Sequence, residues 1–284
     1  MPYSPYTVPG VNFREEFVKV SDGATLKVVE FIPPDEDKSL PVMVFVAGWI
    51  SMIKGWAEVL QELTPQFHTL YVETREKISA CLPDFKNLEF SIERMAKDVA
   101  EVVDKMIPVD RSFAYGGSSL GSTVVLDLMS QDFRQPVTGL LVGPVPEFHY
   151  PAWGVPIIRY SPPSLYLVVK PVIKWYLKYF RVDRKKEPEQ IAKYYGTLDA
   201  AEPARLKANA LALHSYSLWD KLPKVKAPVV IIGTETDSLH GLDTLEKTVE
   251  LLPQGELALM ASNKDAHSAK AGQLMVERLS RIGS

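Results

Sequence analysis

Apolar residues in this chain come in short unbroken runs, separated by stretches with helical spacing. VMVFVA (42–47), GLLVG (139–143) and PVVIIG (228–233) are continuous apolar runs of strand length, the pattern of strands buried on both faces. HTLYV (68–72), SFAY (112–115) and ELALM (256–260) read as further strands. Helical spacing fills the gaps at about 55–63, from Ser91 onward, at 122–130 and in AGQLMVERL (271–279). In the second of these, Glu93, Arg94, Lys97, Asp98 and Glu101 share a polar face. Ile92, Met95, Val99, Val102, Val103 and Met106 lie opposite. EFVKV and TLKVVEF, joined through Ser21-Asp22-Gly23 within residues 14–31, read as a β-hairpin. Strands alternating with helices predict an α/β fold: a mostly parallel central sheet, flanked by helices, with right-handed crossovers.

The alternation stops between about residues 144 and 222, which are rich in Pro, Tyr and Trp and read as helical pieces with loops. The expected organisation is a core of residues 1–143 and 223–284 interrupted by a helical cap insertion at 144–222. Within it, LYLVVKPVIKWYLKYF (165–180) is apolar around most of a helix. Lys170, Lys174 and Lys178, four apart, form one polar stripe. These lysines and Pro171 break the run too often for a membrane span. The simplest reading is a helix packed on the core. The sharper ones are the roof of an apolar acyl pocket and weak contact with a lipid surface.

Composition narrows the class. The 284 residues are 46% hydrophobic and 24% charged, with a formal net charge of −3, which suits a globular protein and gives no reason to expect nucleic acid. Cys81 is the one cysteine. It rules out an intrachain disulfide and a zinc site built on cysteines, and it suits a reducing cytoplasm, the expected location. MPYSPYTVPG lacks the charged and apolar regions of a signal peptide. No H-E-x-x-H cluster appears, and no G-x-G-x-x-G follows the first core strand. Neither a metal nor a dinucleotide is therefore expected, and the cofactor expectation is none.

The candidate chemistry lies in YGGSSLGS (115–122). Gly117-Ser118-Ser119-Leu120-Gly121 is G-x-S-x-G, set between a predicted strand and a predicted helix. A serine at such a junction stands exposed on a tight, strained turn, and small residues two before and two after it let neighbouring backbone approach. Ser118 is the poorer candidate because Leu120 would fall at its bulk-intolerant position. A serine hydroxyl needs a base. Of the five histidines, His68 opens a core strand and reads as structural, His149 and His214 lie in or beside the insertion, and His240 closely follows PVVIIG. His267 follows the last strand, on the sheet edge where Ser119 also sits, and leads. Asp237, in GTETDSLHG after PVVIIG, gives the order serine–acid–histidine. Glu235 in the same loop and Glu147 after GLLVG remain rivals for the acid, while Asp265 reads as solvated. An oxyanion needs preorganised donors. The backbone N–H groups of Leu120 and of Trp49, in the loop after VMVFVA, are the expected pair.

At these residues the chain resembles the α/β-hydrolase fold superfamily over about 15–143 and 223–284. The resemblance implies Ser119 as nucleophile, Asp237 as acid, His267 as base, Trp49 and Leu120 as oxyanion donors, and a cap at 144–222. Two features depart from the common pattern. Ala47-Gly48 stands where many members have His-Gly, and Thr236 occupies the usual acid position, with Asp237 one later. The implied activity is cofactor-free hydrolysis of a small-molecule carboxylic ester. Acyl transfer or thioester hydrolysis with the same triad, or ligand binding without turnover, are the alternatives.

Overall fold

The computed structural model describes residues 3–151, 153–181, 188–234 and 241–282. Its centre is an eight-stranded sheet in the order β1-β2-β4-β3-β5-β6-β7-β8. The strands are β1 (Asn12–Lys19), β2 (Thr25–Ile32), β3 (Val42–Val46), β4 (Thr69–Val72), β5 (Phe113–Ser118), β6 (Gly139–Val142), β7 (Val229–Thr234) and β8 (Gly255–Met260). The first two form the expected hairpin, and β2 meets β4 in antiparallel register; from β4 through to β8 every pairing is parallel. Gly23 turns the hairpin at a φ of 91°, a conformation that costs a residue without Cβ nothing.

Helices cover both faces. Helices α1 (Ala57–Leu63) and α9 (Ala269–Ser280) pack together on one; α2 (Ile92–Met106) and α3 (Leu120–Met129) pack together on the other, with α8 (Leu242–Leu251) against β7 and β8. Helix α2 buries Ile92, Met95, Val99, Val102 and Val103, as its spacing predicts. Ser91 caps it by accepting from the Arg94 N–H, filling one of the donors that a helix start leaves open. All of α3 is buried. Its one acid, Asp127, is matched by the Tyr216 hydroxyl at 2.7 Å and by Lys221, which is how a buried carboxylate is accommodated.

Between β6 and β7 the chain forms α4 (Gly154–Tyr160), α5 (Leu165–Tyr176), α6 (Pro188–Ala200) and α7 (Pro203–Leu213). Helix α7 inserts Leu213 into the main core, and Tyr216, Leu218 and Leu222 follow it there. Helix α5 has no buried residue, so its apolar sequence is not accounted for by packing on the core. Among the described residues no helix is long and apolar enough to cross a membrane.

His68 proves structural, its ring nitrogens lying 2.8 Å from Glu30 and 2.9 Å from Glu36. Burial raises the pKa of both carboxylates, but contacts with His68 and Arg14 for Glu30, and with Arg111 and His68 for Glu36, hold both below the usual range. A depressed native pKa stabilises the fold above the ordinary glutamate value and is lost as pH falls through the native value. Stability is therefore expected to drop below about pH 4.3. In an acid titration followed by tryptophan fluorescence, His68→Gln should unfold at higher pH than wild type.

Candidate active site

Strand β5 runs to Ser118 and α3 begins at Leu120, so a single residue, Ser119, makes the turn between them. Its backbone sits at φ 49°, ψ −117°. Ile50, at φ 47°, is the other non-glycine residue with positive φ among those described. Such dihedrals are sparsely populated by L-residues and persist only where surrounding structure imposes them. Here the imposition is visible. The Ser119 N–H donates to the Val142 carbonyl at 2.8 Å, tying the elbow to the end of β6. The Thr123 hydroxyl lies 3.1 Å from the Ser119 carbonyl and 3.0 Å from that of Val145. At Gly121 an added Cβ would lie 2.1 Å from the Val46 carbonyl oxygen and 2.7 Å from that of Ala47. Any side chain there would push α3 off the end of β3.

The loop after β3 runs past the serine. A Cβ on Gly48 would stand 3.5 Å from that of Ser119. Residues 48–51 make a turn closed by the Ser51 N–H and the Gly48 carbonyl at 3.0 Å, with Trp49 and Ile50 at its corner. The Ile50 N–H donates to Glu76 Oε1 at 3.2 Å, and Lys77 Nζ reaches the Gly48 carbonyl at 3.2 Å and Glu76 Oε1 at 3.2 Å. Glu76 and Lys77, both buried, thus clamp the turn from the loop after β4. Arg205, on α7, donates to the Lys77 and Ala80 carbonyls, joining the same loop to the helices beyond. Thr-Arg-Glu-Lys (74–77) matches no motif, so the sequence carries no local signal for this clamp.

His267 lies in a short 3-10 turn after β8, half-buried, with its ring 4.7 Å from that of Trp56. Its Nδ1 is 2.9 Å from the Asn263 carbonyl, an acceptor that requires the hydrogen on Nδ1. Ser119 and His267 line one small cavity of about 30 Å³, together with Gly143, Thr234 and Asn263. The serine and histidine singled out in the sequence, 148 positions apart, thus come together. Asp237, its rival Glu235, and His240 lie outside the described residues. Glu147 accepts from Ser217 and lies 3.6 Å from His149, and it does not line the serine's cavity. Asp265 is not simply solvated. It pairs with Lys270 at 2.8 Å, a contact that holds its carboxyl below the usual range.

A second, larger cavity of about 370 Å³ adjoins the same turn. Trp49 and Ile50 form one wall, and Ile158, Leu165, Tyr166, Val169 and Ile173 of α4 and α5 form another. Its surface is almost wholly apolar. Lys207, on its edge, spends its ammonium on the Ser161 carbonyl at 2.6 Å. Trp49 Nε1 is buried without a hydrogen-bond partner.

No protein-family model matches the chain, and no curated protein matches it in sequence. Solved structures do match in shape. A hydrolase from Pseudomonas aeruginosa PA01 superposes with a TM-score of 0.73 at 16% identity, over 94% of this chain and 98% of that one. A thermophilic esterase from Thermogutta terrifontis gives 0.73 at 16% identity, over 95% and 100%. The enol-lactonase from Burkholderia xenovorans LB400 gives 0.73 at 15%, over 93% and 100%. The chain has the fold of the α/β-hydrolase superfamily, with Ser119 at the strand–helix junction.

The Gly121 contact gives a direct test. Gly121→Ala must displace the backbone of β3 or α3, and overpacking of this kind costs about 3 kcal/mol. A melting temperature lower by roughly 6–12 °C is expected in calorimetry.

Proposed function

We propose that this protein is a cofactor-independent serine hydrolase that cleaves a carboxylic ester with an apolar acyl group, through an acyl-enzyme. The observation that carries the reading is the meeting of Ser119, on its strained single-residue turn, with His267 at one cavity. The printed names of the similar structures, hydrolase, esterase and enol-lactonase, agree with it.

In this reading His267, hydrogen-bonded through Nδ1, uses Nε2 to take the Ser119 proton as Oγ attacks the substrate carbonyl carbon. The carbonyl electron pair moves onto oxygen, and the backbone N–H groups of Leu120 and Trp49 receive that charge. Leu120 opens α3, where the first N–H groups have no intrahelical acceptor, and the helix dipole adds to the effect. The clamp of Glu76 and Lys77 keeps the Trp49 corner from relaxing away. The tetrahedral centre collapses, the alcohol leaves with the proton carried by His267, and water repeats the sequence to release the acid. Asp237 is the proposed carboxylate that orients the imidazole.

Helices α4 to α7 are read as a cap, and the apolar cavity beneath them as the acyl site. Its volume of about 370 Å³ falls in the range of small-ligand pockets. An acyltransferase or thioesterase would use the same groups, and product partition with a competing alcohol or a thioester substrate separates them.

Fluorophosphonate labelling read by intact mass and peptide mapping tests the reading. One adduct on Ser119 is expected, absent in Ser119→Ala and slowed at least about a hundredfold in His267→Ala, since general-base catalysis contributes about 10²–10⁴-fold. A folded wild-type protein that takes no adduct, with or without detergent, would rule the reading out.

A further inference from the structure

The apolar surface of this protein is concentrated in one place. Of the large hydrophobic residues that stand exposed, most belong to residues 153–179, among them Tyr160 at 83%, Val168 at 72%, Trp153 at 70% and Val172 at 62%. They are ordered. On α5, Val168, Val172 and Trp175 follow one another at spacings of four and three, which is one stripe of a helix, and Tyr179 lies in the turn just beyond its end. Trp153, at the start of α4, and Ile157 and Tyr160 within it are exposed at the same helical spacing. The adjoining stripe of α5, carrying Leu165, Val169 and Ile173, walls the large apolar cavity. A helix with so wide an apolar face belongs against an apolar medium, yet α5 buries no residue. A patch so large on a soluble chain marks a surface that meets something.

Charge and residue type say what. Residues 153–181 contain Arg159, Lys170, Lys174, Lys178 and Arg181 and no acid, in a chain of net charge −3. Asp199 of α6 pairs with Lys170 at 3.0 Å and Lys174 at 2.7 Å. Arg159 stands exposed, and the Lys178 ammonium lies 5.7 Å from the centre of the Tyr179 ring. The aromatic members are Trp and Tyr, whose rings are apolar and whose N–H and O–H groups seek water. That pairing of amphipathic aromatics with cations is the composition that settles at a lipid–water boundary. A second copy of the chain is the poorer occupant, because a two-fold contact would set the same cations against each other.

We propose that α4 and α5 dock this protein on an anionic lipid surface, with their exposed apolar residues at the headgroup level and the apolar cavity that both helices wall beside them. An acyl chain leaving the bilayer would then enter the cavity past α4 and α5 without a full passage through water. The binding step is independent of turnover.

Cosedimentation with phosphatidylcholine vesicles, and with vesicles of phosphatidylcholine and phosphatidylglycerol in equal parts, tests this. The wild-type protein is expected to partition onto the anionic vesicles, less so as salt is raised. Val168→Glu/Val172→Glu should lose that binding at least about tenfold. Neither valine lines a described cavity, so the circular-dichroism spectrum and the rate of fluorophosphonate labelling should not change. Wild-type protein that stays in the supernatant with both vesicle types overturns the proposal, as does undiminished binding by the double variant. A solution dimer that the double variant dissolves, without vesicle binding, overturns it in favour of a second copy. Labelling is read separately, so failure of the serine-hydrolase reading would appear there and not in the partition.

Discussion

The carbonyl oxygen of Val46 leaves no space for a side chain at position 121. A Cβ there would lie 2.1 Å from it, so α3 approaches the end of β3 more closely than any residue but glycine permits. That contact sets the rest of the site. It draws the first turn of α3 up against the end of β3 and the loop that follows, where Gly48 passes close to Ser119. It also leaves one residue to reverse the chain between β5 and α3, and that residue takes the strain as a positive φ. Backbone strain of this kind costs about 1–3 kcal/mol. The hydrogen bond from Ser119 to Val142 and the buried sheet on either side hold it in place.

The other strained residue, Ile50, is held by charge. The loop after β4 places three charged residues in the interior. Arg75, fully buried, makes paired hydrogen bonds with Asp98 of α2 at 2.6 and 2.7 Å and reaches Asp22 at 2.8 Å. Glu76 and Lys77 then hold the turn at residues 48–51, and Arg205 of α7 holds Lys77 in turn. Buried ion pairs contribute little net stability, but removing one partner is costly. Their value here is positional. They carry a fixed geometry from the sheet, through the Trp49 turn, to the helices that wall the apolar cavity.

Much of this was legible in the sequence, for definite reasons. The apolar runs VMVFVA, GLLVG and PVVIIG marked parallel strands because a sheet covered on both faces leaves no polar alternation. G-x-S-x-G pointed to Ser119 because the steric need for glycine is local and strict. His267 followed from topology alone, since parallel strands deliver their following loops to one edge. What stayed hidden depends on distant partners. Glu76 and Lys77 belong to no motif, and only the fold brings Gly48 and Ile50 over them. The sequence also showed LYLVVKPVIKWYLKYF as an apolar helix without showing what it faces. The fold leaves one stripe of it on the cavity and the adjoining one uncovered.

The surrounding structure holds Ser119 in a strained backbone conformation at a cost in stability. Comparing the melting temperatures of Ser119→Gly and Ser119→Ala tests it most directly, because both remove the hydroxyl and only glycine relieves the positive φ. The glycine variant is expected to melt roughly 2–4 °C above the alanine variant, even though glycine costs more entropy on folding. Equal melting temperatures, or a less stable glycine variant, would contradict it.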